Sequence, residues 1–168
     1  AGWGVHLSNT EAEFLKFAES FNIPIALTWG AADLIPFDHD LYVGTFGTHG
    51  NRHANFAVQN ADLIISLGSR LDTKSTGSPI NTFAREAKKY MVDVDKAGLQ
   101  KKLQQVPFDE CIYSDAKLFI KILIERLKSG HLPNFDSWVD KVMDWKVKYD
   151  PVTDDMFGAR YENVKLSF

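Results

Sequence analysis

The chain predicts a three-layer α/β domain with a mainly parallel sheet. Short apolar runs, of which Leu63-Ile64-Ile65-Ser66-Leu67 is the clearest, alternate with stretches of helical periodicity. That run is almost continuously apolar, as expected of a strand covered by helices on both faces. Strands alternating with helices imply right-handed crossovers and hence parallel pairing.

The elements follow in order. Ser8-Asn9-Thr10-Glu11-Ala12-Glu13 offers two overlapping capping boxes, Ser8 with Glu11 and Thr10 with Glu13. Phe14, Leu15, Ala18 and Phe21 then recur at helical spacing, predicting a helix over about residues 10–21. Ile23-Pro24-Ile25-Ala26-Leu27 reads as a short strand, with Pro24 tolerated at an edge or first position. Residues 30–40 read as loop with room for a short helical turn. Residues 51–60 predict a helix carrying Ala54, Ala57 and Val58 inwards. Pro79 suits the first turn of a helix running to Lys88, and Tyr90 to Val94 reads as the next strand. A short helix over 97–103 and a short strand from Cys111 to Tyr113 follow. Asp115 caps an amphipathic helix with Leu118, Phe119, Ile122, Leu123 and Leu127 on its apolar side, closed by Lys128-Ser129-Gly130. A last helix over about 135–149 carries Trp138, Val142, Trp145 and Val147.

The 168 residues suit one domain with a real core. A net charge of -3 argues against a nucleic-acid partner, which needs clustered Lys and Arg. The single cysteine, Cys111, excludes an internal disulfide and a Cys-only zinc site, so a cytoplasmic location fits. Without a basic motif beside it, Cys111 reads as a buried, inert thiol. No apolar run approaches the roughly 20 residues that span a bilayer, so a membrane is not an expected partner, and residues 1–9 do not read as a signal peptide. Ala1 to Val5 reads as the turn after a strand lying upstream. The expected organisation is a domain over 1–130 with its first strand truncated, a C-terminal helix over 131–150, and a linker over 151–168 towards a further domain.

Two turn-rich glycine segments, Gly44 to Gly50 and Gly68 to Asp72, bracket one helix and the central strand. Glycine lets backbone approach a ligand closely, and loops at the carboxyl ends of parallel strands are where such sheets bind cofactors. Gly2-Trp3-Gly4 offers backbone N–H groups to a phosphate, but Leu7 stands where a third glycine would complete the dinucleotide fingerprint. Taken alone, a plain tight turn is the better reading. His49 and His53 share a face if helical, yet lack a third ligand and an intervening Glu, so no metal site is expected. Arg70 follows the central strand and suits a phosphate with its planar fork; Asp72 holds Arg70 or accepts from a hydroxyl. The competing reading is a surface ion pair of little worth. Asp93 is a candidate to accept from a ribose or ribityl hydroxyl or an adenine amine, and Asp95 the better helix cap.

Together these blocks resemble the central domain of thiamine-diphosphate-dependent enzymes, and the acetolactate synthase large subunit most. The matching run includes Ile23-Pro24, Thr28-Trp29-Gly30, Ile35-Pro36, Asp38-His39, Gly44 to Gly50, Ala54-Asn55-Phe56-Ala57, Ala61 to Ile65, Gly68 to Asp72, Thr76-Gly77, Phe83-Ala84, Val92 to Asp95 and Ser114-Asp115. The resemblance covers residues 1 to about 128 and implies a Rossmann-like fold. It also implies a longer enzyme, dimeric or tetrameric, that carries out carboligation or decarboxylation of 2-oxo acids. Thiamine diphosphate and Mg²⁺ would be held by flanking domains through a glutamate and a Gly-Asp-Gly…Asn motif, neither matched here, so this piece alone is expected to be non-catalytic. In the acetolactate synthase branch the central domain holds FAD; other members hold ADP, a coenzyme A nucleotide, or nothing. The positions carried over as cofactor contacts are Gly2, Gly4, Thr28, Trp29, Gly30, Phe46, Gly47, Thr48, His49, Gly68, Arg70, Asp72, Lys74, Asp93, Val94 and Asp115. The usual Arg-Phe-Asp-Asp-Arg pattern here reads Arg70-Leu71-Asp72-Thr73-Lys74, while Trp29 replaces a usual Met and Trp3 a small residue. The alternative reading is a stand-alone nucleotide- or flavin-binding module of the same fold, or a spacer with an empty groove.

Overall fold

A computed structural model of the chain describes residues 1–100, 106–128, 134–150 and 152. In chain order the elements are α1 (Gly4–Leu7), α2 (Glu11–Phe21), β1 (Ile25–Leu27), β2 (Tyr42–Thr45), α3 (Arg52–Gln59), β3 (Leu63–Leu67), α4 (Thr73–Thr76), β4 (Lys88–Asp93), β5 (Glu110–Tyr113), α5 (Ala116–Leu127) and α6 (Asp136–Lys148). All strand pairing is parallel, β1 with β2 in one sheet and β3-β4-β5 in the other. Residues 1 and 2 lie between these two sheets: Ala1 N donates to Ala26 O and Gly2 N to Leu67 O.

Helices cover both faces, which gives the three-layer order expected. On one side α2 and α5 pack together over Val5, Phe14, Phe17, Ile25, Leu27, Leu67 and Ile120. On the other, α3 and α6 pack over Val43, Phe46, Ala57, Phe83 and Val142. Burying such side chains from both layers supplies most of the cohesion, about 1.5–3 kcal/mol for each large apolar residue.

Several elements differ from the sequence reading. β2 falls where no strand was expected, because Gly44 interrupts the apolar run and only Val43 beside it is a buried hydrophobe. Gly44 has φ +119, and a Cβ there would stand 2.7 Å from Asn51 Oδ1. α1 occupies what read as a turn. The expected capping boxes do not form: Ser8 Oγ donates to Val5 O at the end of α1, Thr10 makes no side-chain cap, and Glu11 turns to His6.

The helix expected over 79–88 is a single 3-10 turn, Ile80–Thr82, followed by turns into β4. Its backbone groups are spent elsewhere. Ala84 has φ 40, its N–H donates to Gln59 Oε1 (2.8 Å), and the Ala84 and Ala87 carbonyls accept from the buried Lys89 Nζ at 2.9 and 2.7 Å. Lys89 thereby satisfies a charge that would otherwise be costly to bury.

Asp115 does cap α5, its Oδ1 accepting from Lys117 N (2.9 Å) and Leu118 N (3.4 Å). The buried face of α5 is the expected one in part, with Phe119, Leu123 and Leu127 packed against the core. Ile120 is fully buried, whereas Leu118 and Ile122 are 54% and 46% exposed. Lys117, Lys121 and Glu125 recur four apart on the polar face, and Leu118 and Ile122 flank that face rather than the core. On α6, Val142 points in and Val147 out. Residues 97–100 form turns; the rest of the helix expected over 97–103, the Ser129-Gly130 closure, residues 131–133 and nearly all of 151–168 lie outside the described residues.

Candidate functional site

A cleft of about 320 Å³ opens at the carboxyl ends of β1, β2 and β3, where a parallel sheet places ligand loops. Thr28, Trp29 and Gly30 line it from the end of β1; Thr45, Phe46, His49 and Gly50 from the end of β2; Gly68 to Asp72, Lys74 and Ser75 from the end of β3; and Trp3 from the start of α1.

Local hydrogen bonds hold these loops. Asn55 grips the first glycine loop from α3: its Oδ1 accepts from Gly47 N (2.8 Å) and its Nδ2 donates to Gly47 O (3.0 Å). Asn51 Oδ1 accepts from Thr45 N at 3.0 Å. Thr48 ties the two loops together, its N–H and Oγ1 donating to Lys74 O at 2.8 and 3.1 Å. In the second loop Ser66 Oγ donates to Ser69 O (2.9 Å), and Leu71 takes a positive φ of 49 with its side chain buried. Asp72 then caps α4, accepting from Lys74 N (3.1 Å) and Ser75 N (3.2 Å). Its carboxylate is therefore used, and it forms no ion pair with Arg70.

What remains available is cationic and aromatic. Among the described residues, Arg70 has no hydrogen-bond or ion-pair partner, and the Lys74 ammonium has none. Trp29 and Trp3 are 73% and 54% exposed, and the Trp29 ring lies 6.0 Å from that of His49. Two unpaired cations beside exposed indole faces suit an anion carrying a flat ring.

The expected contacts separate into groups. Thr28, Trp29, Gly30, Phe46, His49, Gly68, Arg70, Asp72 and Lys74 meet at the cleft; Thr45, Gly50, Ser69, Leu71 and Ser75 join them without having been singled out. Thr45 went unnoticed because β2 was unrecognised, and Ser69 and Leu71 because only the glycine and the charges of that loop drew attention. Gly2, Gly4, Gly47 and Thr48 do not line the cleft. A Cβ on Gly4 would fall 2.5 Å from Gly68 Cα, and one on Gly47 2.5 Å from Lys74 O, so these glycines let backbone pass backbone. Asp93, Val94 and Asp115 sit at the ends of β4 and β5, away from the cleft. Asp93 Oδ1 accepts from Asp95 N (2.9 Å), and Asp95 in turn caps Ala97 N (2.9 Å). Cys111, in β5, is half-buried rather than buried. Among the described residues no group of three or more His, Cys, Asp or Glu is placed to hold a metal, and no helix is long and apolar enough to cross a membrane.

A parallel sheet between helical layers, with glycine loops and unpaired cations at its carboxyl edge, defines a domain of the Rossmann-like class. The comparison with known families is more particular. Residues 1–123 match the central domain of thiamine pyrophosphate enzymes, and the chain belongs to that family. It is similar to the probable acetolactate synthase large subunit of Methanococcus aeolicus, 34% identical over 92% of this chain and 26% of the relative. The corresponding figures for the acetolactate synthase large subunit of Corynebacterium glutamicum are 34%, 99% and 27%. The chain thus spans about a quarter of the length of the curated relatives it matches.

Proposed function

We propose that this chain is the nucleotide-binding central domain of a thiamine-diphosphate-dependent enzyme that joins or decarboxylates 2-oxo acids, acetolactate synthase among them. Thiamine diphosphate supplies the carbon nucleophile for such reactions when bound, and its site and that of Mg²⁺ belong to flanking domains. The role of this chain is to hold FAD or another adenine nucleotide at the β1–β3 edge. The observation that carries this reading is the pair of unpaired cations, Arg70 and Lys74, beside exposed Trp29. Arg70 and Lys74 meet the phosphates, Arg70 with two parallel N–H donors and Lys74 as a point charge. Trp29 offers its face to a flat ring, and Gly30 leaves open space there, with nothing beyond its chain neighbours within 4 Å of where its Cβ would stand.

The exposed Trp3, Leu7 and Trp29 support a further part of the reading, that flanking domains and a second subunit close over this edge in a cytoplasmic dimer or tetramer. Alone, the chain does no chemistry. Incubated with pyruvate, thiamine diphosphate and Mg²⁺, it should form no acetolactate, and turnover would show that the chain carries its own catalytic groups. Nucleotide binding is tested by titrating the chain with FAD and following flavin and tryptophan emission, with ADP as competitor. Saturable quenching that ADP reverses is the expected result. Unchanged emission at tens of micromolar would leave the cleft as an empty rim and the domain as a spacer.

A further inference from the structure

Trp3 stands at the rim of the cleft with its backbone pinned on both sides. Gly2 N donates to Leu67 O at 2.9 Å, and Gly4 N donates to Gly68 O at 3.0 Å. That leaves the indole as the part able to turn, and it lines the cleft while 54% exposed. Three residues on, at the spacing that brings side chains together on a helix, the His6 ring lies 4.9 Å from the indole, tilted by 52°.

His6 itself reaches two carboxylates at once. Its Nδ1 meets Glu11 Oε1 at 2.9 Å and its Nε2 meets Asp33 Oδ1 at 3.1 Å. An ionised carboxylate only accepts, whereas a neutral imidazole has a single N–H to give. Both bonds form together only on the imidazolium, so the geometry requires His6 to carry its charge. Its raised pKa, due first to the Glu11 hydrogen bond, agrees. A cation held this close to an indole is within cation–π range. Glu11 comes from the first turn of α2, and Asp33 lies just past the 3-10 turn Trp29–Ala31. His6 therefore links the Trp3 side of the cleft to the Trp29 side. Among the described residues the charges facing it are those two carboxylates. From α5, Lys117 turns instead to Glu13 at 3.1 Å and to Asn9 O at 3.4 Å, and the β3 loop meets α1 through the uncharged Gly68 and Ser69.

We propose that His6 is a positioning residue for the cleft: as an imidazolium bonded to Glu11 and Asp33, it holds the Trp3 indole at the rim as a wall for the ligand's flat ring. The inference rests on the nucleotide reading of the cleft. Deprotonation leaves one ring nitrogen with a lone pair facing a carboxylate, so one of the two bonds is lost and the attraction to the indole goes with the charge. The ring of the ligand is then held less firmly. Binding weakens in alkaline solution through His6, although His6 does not line the cleft and touches no ligand.

The test uses FAD as the probe, because its doubly esterified diphosphate does not titrate between roughly pH 6 and 9. Affinity for the 168-residue chain should fall about 2- to 5-fold across that range, the scale of an exposed cation–π contact, with a midpoint above 6.5. His6→Gln, which keeps hydrogen bonds without the charge, should bind at the weaker level throughout. Asp33→Asn should move the midpoint to lower pH. In the free protein the indole N–H resonance of Trp3, assigned by its absence in Trp3→Phe, should titrate with the same midpoint and stay still in His6→Gln. A Trp3 resonance that does not move in the parent would overturn the proposal, and so would FAD profiles of the same shape in the parent and His6→Gln. Failure of FAD to bind at any pH would overturn the nucleotide reading instead, and the ligand-free Trp3 titration tells that failure from a failure of the His6 contact.

Discussion

The two ends of the carboxyl edge put their rim residues to different use. At the β4–β5 end, Asp93, Asp95 and Asp115 each accept from backbone N–H groups two or three residues onward. At the β1–β3 end, Asp72 is used in the same way, but Arg70, Lys74 and Trp29 extend from the rim with their polar atoms or ring faces unmatched. A rim residue whose hydrogen-bonding capacity is met by its own loop serves the fold; one left unmatched is available to a ligand. The difference that decides between the two roles lies in bonding.

The largest expected effect sharpens this distinction within the cleft itself. Gly68 lines the cleft, but its φ is +56 and a Cβ there would stand 2.5 Å from Gly4 Cα. Gly68→Ala should therefore cost about 3 kcal/mol of stability through overpacking and backbone strain, read as a drop in urea midpoint. Stability within ~0.5 kcal/mol of the parent would return Gly68 to the ligand-contact group. Arg70→Ala should do the reverse. Nucleotide affinity should fall about 10- to 100-fold, as expected when a charge-assisted bond is lost, while the thermal midpoint stays put. Arg70→Lys should recover only part of the affinity, because an ammonium cannot match the guanidinium fork.

These contrasts also explain what was legible beforehand. Strands β1, β3, β4 and β5 and helices α2, α3, α5 and α6 carry strong periodicity or apolar runs, and all were read near their observed bounds. β2 was not, because its burial depends on pairing with β1, distant in sequence, and Gly44 broke its local signal. The 79–88 helix failed for a related reason. Ala84 and Ala87 have good helical propensity, but their carbonyls are claimed by Lys89, an override no local pattern reveals. At the site, Arg70 and the two glycine loops could be read because strand ends and glycines are local signals. That Gly4 and Gly68 serve each other depends on a contact between segments far apart in the chain, and that Asn55 holds Gly47 depends on how α3 packs back against the loop before it.

A smaller effect breaks or confirms the reading of the far end. Asp115→Ala removes the α5 cap and should cost about 1 kcal/mol, visible as a lower urea midpoint with unchanged nucleotide affinity. A tenfold loss of affinity with no loss of stability would instead place the β5 end in the site and dissolve the contrast between the two edges.

The smallest effect sets a satisfied histidine against an unsatisfied one. His6, on α1 beside the cleft, meets Glu11 at 2.9 Å and Asp33 at 3.1 Å, and the Glu11 hydrogen bond above all raises its pKa from 6.5. His53, on α3, is buried with Nδ1 unpartnered, and desolvation lowers its pKa from 6.5, only partly opposed by the nearby Tyr149 backbone. The signs are opposite. The contribution of His6 is fully present below pH 6.5 and is lost as pH rises through its raised folded value. The contribution of His53 is present above pH 6.5 and is lost as pH falls through its lowered folded value. The two losses lie on opposite sides of pH 6.5, so across a window spanning that pH the parent's stability should peak near it and fall on either side. His6→Gln should keep only the His53 slope, so that the variant loses stability on acidification, while His53→Gln should leave only the His6 slope and lose stability towards alkaline pH. Urea midpoints measured across that window decide it. Parallel profiles in the two variants would mean that neither histidine's surroundings differ in the way its partners imply.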